Sequence, residues 1–234
     1  MASVPTTTSV NTAQVLLAGG ARPDQSALDF PARLRRARLG IIVALTGVVM
    51  IFVSYSSAYV VRQGLPTLDP STGTLVRDWL PLQLPNFLLV NTLVLLVSTL
   101  TMELARRQAV RVALAAGNVS NPVTRNDTDK MPWLALTAIL GLSFLAGQWF
   151  VWGELAARGF YVATSPSSSF FYLLTGVHGI HLFGGILALL AAGAISLWRK
   201  SAASSAVVVD ATAWYWHFMT VSWVYILCLL EFAP

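Results

Sequence analysis

Residues 170–197 read FFYLLTGVHGIHLFGGILALLAAGAISL, a run without one Asp, Glu, Lys or Arg. It exceeds the roughly 20 predominantly apolar residues that a helix needs to cross the hydrocarbon core of a bilayer. The polar cluster Thr164-Ser165-Pro166-Ser167-Ser168-Ser169 precedes it and suits a loop and helix start, so the span is set at 170–197 and not over the whole neutral interval 159–198. Outward from this run, four more neutral apolar intervals pass the same test, at 39–61, 79–102, 131–153 and 211–230. Hydrophobic residues make up 56% of the 234 positions and charged residues 11%, about half the charged share of an ordinary soluble domain. Segments in lipid must satisfy their backbone polar groups internally, and the alternation expected of barrel strands is missing. The expected fold is therefore all-α, a polytopic membrane bundle of five transmembrane helices.

The division that follows is a mobile cytoplasmic tail over 1–32 and a transmembrane domain over 33–234, with helices at about 39–61, 83–104, 132–154, 170–197 and 212–231. The arginine cluster ending at Arg38 abuts the first span and suits an uncleaved signal-anchor. Twelve of the fifteen basic residues fall before the first span or in the second and fourth connections, leaving only Arg62, Arg77 and Arg158 on the other side. The positive-inside rule then places the N-terminus in the cytoplasm and the C-terminus outside. Topology accounts for the net charge of +5, and no nucleic-acid partner is expected.

The second connection, from about Glu103 to Lys130, carries Gly117, Asn118, Asn121, Pro122 and Asn126 and holds no further span. Its start reads as a helical extension along the membrane interface, with Val110, Ala113 and Leu114 on one side. The sequons at Asn118 and Asn126 face the cytoplasm on this topology and read as chance. Cys228 reads as a small apolar packing residue, and a single cysteine excludes an internal disulfide or a multi-Cys metal site.

Polar groups inside the spans are the functional candidates, because each is costly in lipid. His178 and His181 lie three apart, roughly 60° around the helix, with Gly185 on the same face. His217 should sit at a different depth, near the start of the last helix. Haem or metal ligation is weighed against interhelical hydrogen bonding, and the second is favoured, since neutral imidazole both donates and accepts. Gly176, Gly179, Gly184 and Gly185 would then allow close helix approach. Gln148 should find a partner across a helix interface. Glu103 with Arg106 and Arg107, and Glu154 with Arg158, read as interfacial ion pairs. Glu231 reads as exposed, and no buried carboxylate is expected. Most tryptophans lie near helix ends, as aromatic belts do, while Trp216 and Trp223 mark one bulky side of the last helix.

The run from Phe170 to His181, followed by Gly184-Gly185, resembles the Thr-Gly-x-His-Gly-x-His signature of haem-copper oxidase subunit III, here Thr175, Gly176, His178, Gly179 and His181. Trp214-Tyr215-Trp216-His217-Phe218, with Trp223 beyond, resembles a second string in the last helix of that family. Further likeness lies in Arg38 with Gly40 and Ala58, in Asn91-Thr92, and in Gly141, Phe144 and Gln148. Five helices match the shorter bacterial form, the five-helix cytochrome c oxidase subunit III. The chain departs from the family at Val48, where many members carry a buried glutamate, and at Thr220, where some carry an acid.

The resemblance implies a subunit with no catalytic or metal-binding residues of its own. It would pack on subunit I, which holds haem and copper, and would contact subunit II, other oxidase subunits and membrane lipid in a bacterial inner membrane. It would support the proton uptake and durability of an oxidase that carries electrons from cytochrome c to oxygen with proton pumping. His178, His181, His217, Trp214 and Trp216 would brace the bundle and border a cleft for a structural phospholipid. An accessory protein of nitric oxide reductase and a quinol oxidase subunit III share these motifs, and a haem-binding anchor is the reading from another class.

Overall fold

The structure is a computed structural model that describes residues 30–68, 71–79, 84–116, 132–198 and 202–232. Five helices dominate it: α1 Phe30–Gly64, α2 Phe87–Ala116, α3 Pro132–Ala157, α4 Pro166–Trp198 and α5 Ala202–Phe232. All five are long and apolar enough to cross a membrane, as the sequence implies. At ~1.5 Å per residue they outreach the ~30 Å hydrocarbon core. An apolar run marks where lipid begins, not where the backbone stops being helical, so α1 and α5 each start about nine or ten residues before their expected spans. The tail to residue 29, both sequons, Arg125 and Lys130, and Arg199 with Lys200 lie outside the described residues.

Helices α2, α3, α4 and α5 pack as a ring, each against the next and α5 back against α2, while α1 lies on the flank made by α4 and α5. The shared interior holds Leu95, Met102, Phe144, Leu155, Phe171, Leu182, Trp216 and Trp223, all buried. Outward faces stay apolar: Leu93 and Leu100 on α2, Ile139 and Trp149 on α3, and Val43 and Met50 on α1 are exposed. That surface would be a liability in water and is ordinary against lipid or another membrane subunit. Cys228 belongs to it, since its side chain is exposed and does not pack inside.

Three local features set the helix ends. At the start of α4, the Ser165 hydroxyl accepts from the Ser168 amide at 3.3 Å and the Ser168 hydroxyl accepts from the Ser165 amide at 3.1 Å, a reciprocal cap with Pro166 in the first turn. The expected polar helix start is therefore real, four residues ahead of Phe170. Past residue 104, α2 continues unbroken and turns Ala105, Ala109 and Ala113 into the core. The buried row is thus the alanines at four-residue spacing, with Leu114 exposed, and not the interfacial face of Val110, Ala113 and Leu114.

Between α1 and α2, β1 Thr67–Leu68 and β2 Leu75–Val76 form a small antiparallel pair. Arg62 ties this hairpin down, donating to the Leu65 carbonyl, to Thr67 Oγ1 and to the Asp78 carboxylate. The Arg62 guanidinium holds the Asp78 carboxyl below its ordinary value, burial opposing it. A depressed carboxylate stabilises the fold above its unfolded value and loses that contribution as pH falls through the folded one. Acidification below the ordinary carboxylate range is therefore expected to lower the amide protection factors of 65–68 and 71–78 in the wild type, relative to the intrinsic exchange rate at each pH. In Asp78→Asn, protection there should be low from the start and respond far less to pH.

Candidate functional site: a buried imidazole and a charged end

Near mid-bundle, His178 of α4 is fully buried and sits among rings. Its centroid lies 5.0 Å from Trp223 on α5, 6.1 Å from Phe144 on α3 and 6.4 Å from Phe52 on α1. Neither ring nitrogen has a hydrogen-bond partner among the described residues. The expected interhelical hydrogen bond is absent from this histidine among the described residues. His181, one turn on, is half-buried, and its Nδ1 lies 2.8 Å from the Val177 carbonyl of its own helix. The helix-to-helix bond there uses its backbone, whose carbonyl accepts from Tyr215 Oη at 2.8 Å.

Tryptophan N–H groups make the true cross-links. Trp216 Nε1 donates to Ser98 Oγ at 3.1 Å and Trp223 Nε1 to Thr92 Oγ1 at 3.0 Å, joining α5 to α2. Trp152 Nε1 donates to Thr175 Oγ1 at 3.1 Å, joining α3 to α4. Asn91 Nδ2 donates to the Phe144 carbonyl at 3.1 Å. Gln148 is 3% exposed, and neither its amide oxygen nor its nitrogen has a partner among the described residues. Thr220 shares a 2.6 Å hydrogen bond with Thr99. Val48, on α1, is half-buried and packs against the hydrophobic core.

Close helix approach uses Gly185, as expected, and two glycines of α3 that were not. A Cβ on Gly141 would lie 2.7 Å from Trp216 Cη2, and one on Gly147 2.3 Å from Asn91 Oδ1. Of the α4 set only Gly185 is tight, its Cβ falling 2.9 Å from Tyr215 Cε1, whereas Gly179 and Gly184 meet nothing within 4 Å.

At the other end of the bundle the sequence reading needs correction, because a buried carboxylate is present. Asp210, two turns into α5, has a side chain with no solvent exposure. Arg38 grips it with two bonds, Nε to Oδ2 at 2.7 Å and Nη2 to Oδ1 at 2.8 Å, and Arg106 of α2 adds Nη1 to Oδ1 at 3.2 Å. Arg106 also forks onto Glu103 at 2.7 Å through Nε and Nη2, and Arg107 donates to Glu103 at 2.7 Å. His217 Nε2 lies 3.4 Å from Glu103 Oε2. Exposed Trp214 stacks its ring 5.9 Å from the Arg38 guanidinium carbon.

Helices α1, α2 and α5 are thus joined at one end by alternating charges, and His217 belongs to that cluster and not to the His178 site. One signal marks Asp210 in the sequence. It is a lone acid flanked by Val209 and Ala211, and a lone acid among apolar neighbours needs a basic partner. The Glu103 pairs with Arg106 and Arg107 and the Glu154 pair with Arg158 form as expected.

The family model described as cytochrome c oxidase subunit III matches residues 31–232, which spans all five helices and both sites. The chain belongs to the cytochrome c oxidase subunit III family. A Synechocystis protein named cytochrome c oxidase subunit 3 is 29% identical over 197 residues, 82% of this chain and 73% of that protein. One of the same name from Thermostichus vulcanus is 29% identical over 198 residues, 82% of this chain and 85% of that protein. A Mycobacterium leprae relative is 34% identical over 103 residues, 43% of this chain, and the match spans half of its own length. For a subunit III family member, five helices with apolar outer faces suit a multi-pass membrane protein.

Proposed function

We propose that the chain is the non-redox subunit III of a bacterial haem-copper terminal oxidase, in which electrons pass from cytochrome c to oxygen with proton pumping. The observation that carries this is the reach of the family match, from residue 31 to residue 232. Haem and copper sit in the partner subunit I on this reading, and the chain packs on that subunit, with subunit II and other oxidase subunits nearby. Its exposed apolar faces on α1, α2 and α3 suit a membrane partner and membrane lipid, including a structural phospholipid. The membrane is the bacterial inner membrane. The start of α1, the end of α2 and the start of α5 meet at the arginine-rich end, which by the positive-inside rule is the cytoplasmic one.

The chain's contribution is to support proton uptake and to prolong the working life of subunit I. With a valine at position 48 in place of the family carboxylate, durability is the larger share. Oxygen consumption followed over time in complexes purified with and without the chain tests this. The expected result is a similar initial rate and a faster decline without it. An immediate loss of all activity on removal would contradict the reading. Co-purification of nitric oxide reductase in place of an oxidase subunit I would overturn the choice of parent complex.

A further inference from the structure

His178 and Gln148 present an unmet chemical demand on facing helices. His178 is fully buried and Gln148 is 3% exposed, and the two imidazole nitrogens and both amide heteroatoms all stand without partners among the described residues. Buried polar atoms in native proteins are nearly always hydrogen-bonded, to protein or to ordered water, because leaving them bare costs free energy.

The packing puts the two side chains on one seam. Phe144 and Trp152 both reach α4, the first against the His178 ring at 6.1 Å and the second through the Thr175 hydroxyl at 3.1 Å. Gln148 lies one turn from each on α3, about 40° around the helix from either, so it faces α4 at the level bounded by Thr175 and His178. Thr175 already donates to the Phe171 carbonyl at 2.7 Å and accepts from Trp152, and is not the missing donor. At the level of Gly176 the seam is also looser than its neighbours, whereas further along it Ile186 of α4 would lie 3.4 Å from a Cβ on Gly141. A Cβ on Gly176 would find its nearest atom, in Trp152, at 3.9 Å, whereas one on Gly141 or Gly147 would strike α5 or α2 at 2.7 and 2.3 Å.

We propose that His178 and Gln148 together hold ordered water between α3 and α4, an internal hydration site that links the imidazole to the amide. Water fits because it can donate and accept at once, as neutral imidazole and carboxamide both require. Apolar rings close the remaining directions around His178. The site does not depend on the complex in which the chain works.

Two measurements test it. In the full-length chain with its accompanying subunits, water-edited solid-state NMR should show strong proton transfer from water to the His178 ring nitrogens. A silent His178 ring, with signal at the half-exposed His217 as control, would overturn the proposal. The second is a cycle of His178→Phe, Gln148→Leu and the double variant, read as melting temperature in gentle detergent. Each single change strands the water and the other polar group, so the double variant should melt no lower than the worse single one. Strictly additive losses would overturn it, as would high-resolution density showing His178 and Gln148 in direct contact.

Discussion

Replacing Arg38 with methionine is expected to destabilise the chain by about 3 kcal/mol, the low end of what breaking a buried ion pair costs. Asp210 is the reason. Its carboxylate has no solvent exposure, while Arg38 and Arg106 are 33% and 27% exposed and can extend their heads towards water. Removing Arg38 leaves the buried charge with a single bond to Arg106 at 3.2 Å, and Arg106 is itself shared with Glu103. Removing the acid instead leaves Arg106 paired with Glu103 and strands only the Arg38 guanidinium, which can find solvent, so Asp210→Leu should cost less than Arg38→Met. The double variant should recover part of the Arg38→Met loss. Thermal unfolding in a mild detergent would show the single Arg38 change as a fall of roughly 6 to 12 °C. Equal losses in both single variants, with no recovery in the double, would count against the burial argument.

Trp216→Ala should be at least as damaging, at about 3–5 kcal/mol for emptying a fully buried aromatic site. This side chain touches each of the other three helices of the ring. Its six-membered edge occupies the space that the absence of a side chain at Gly141 leaves on α3, it lies against Gly185 on α4, and its N–H donates to Ser98 on α2. Lipid supplies no hydrophobic drive between helices, so their association depends on such close packing and on interhelical hydrogen bonds. Trp216→Phe should be far milder, losing one hydrogen bond worth about 1 kcal/mol and some volume. From the opposite side, Gly141→Ala should cost about 1–3 kcal/mol, because Trp216 is enclosed on every side and its ring cannot swing clear. The same detergent melting assay ranks the three. A harmless Gly141→Ala would show that α3 and α5 can separate at this point.

Sequence alone determined that there are five membrane-crossing helices, where their apolar cores lie, and which family the motifs resemble, because the bilayer imposes a length and a composition that each span must meet by itself. It also made the Ser165 cap and the Glu103 and Glu154 pairs legible, since their partners lie three or four residues away. What it left undecided was every pairing between helices. The motif residue His178 is ringed by aromatics from three other helices, the donors that cross-link the bundle include Trp152, Trp216 and Trp223, and tight approach uses Gly141 and Gly147 as well as Gly185. Asp210 stands just ahead of the apolar run 211–230, so the run did not include it among the buried positions. Its burial is decided by Arg38 and Arg106, more than a hundred residues away in the chain. Which side of a helix faces lipid and which faces protein is set by the other helices, so only the assembled bundle assigns these residues their neighbours.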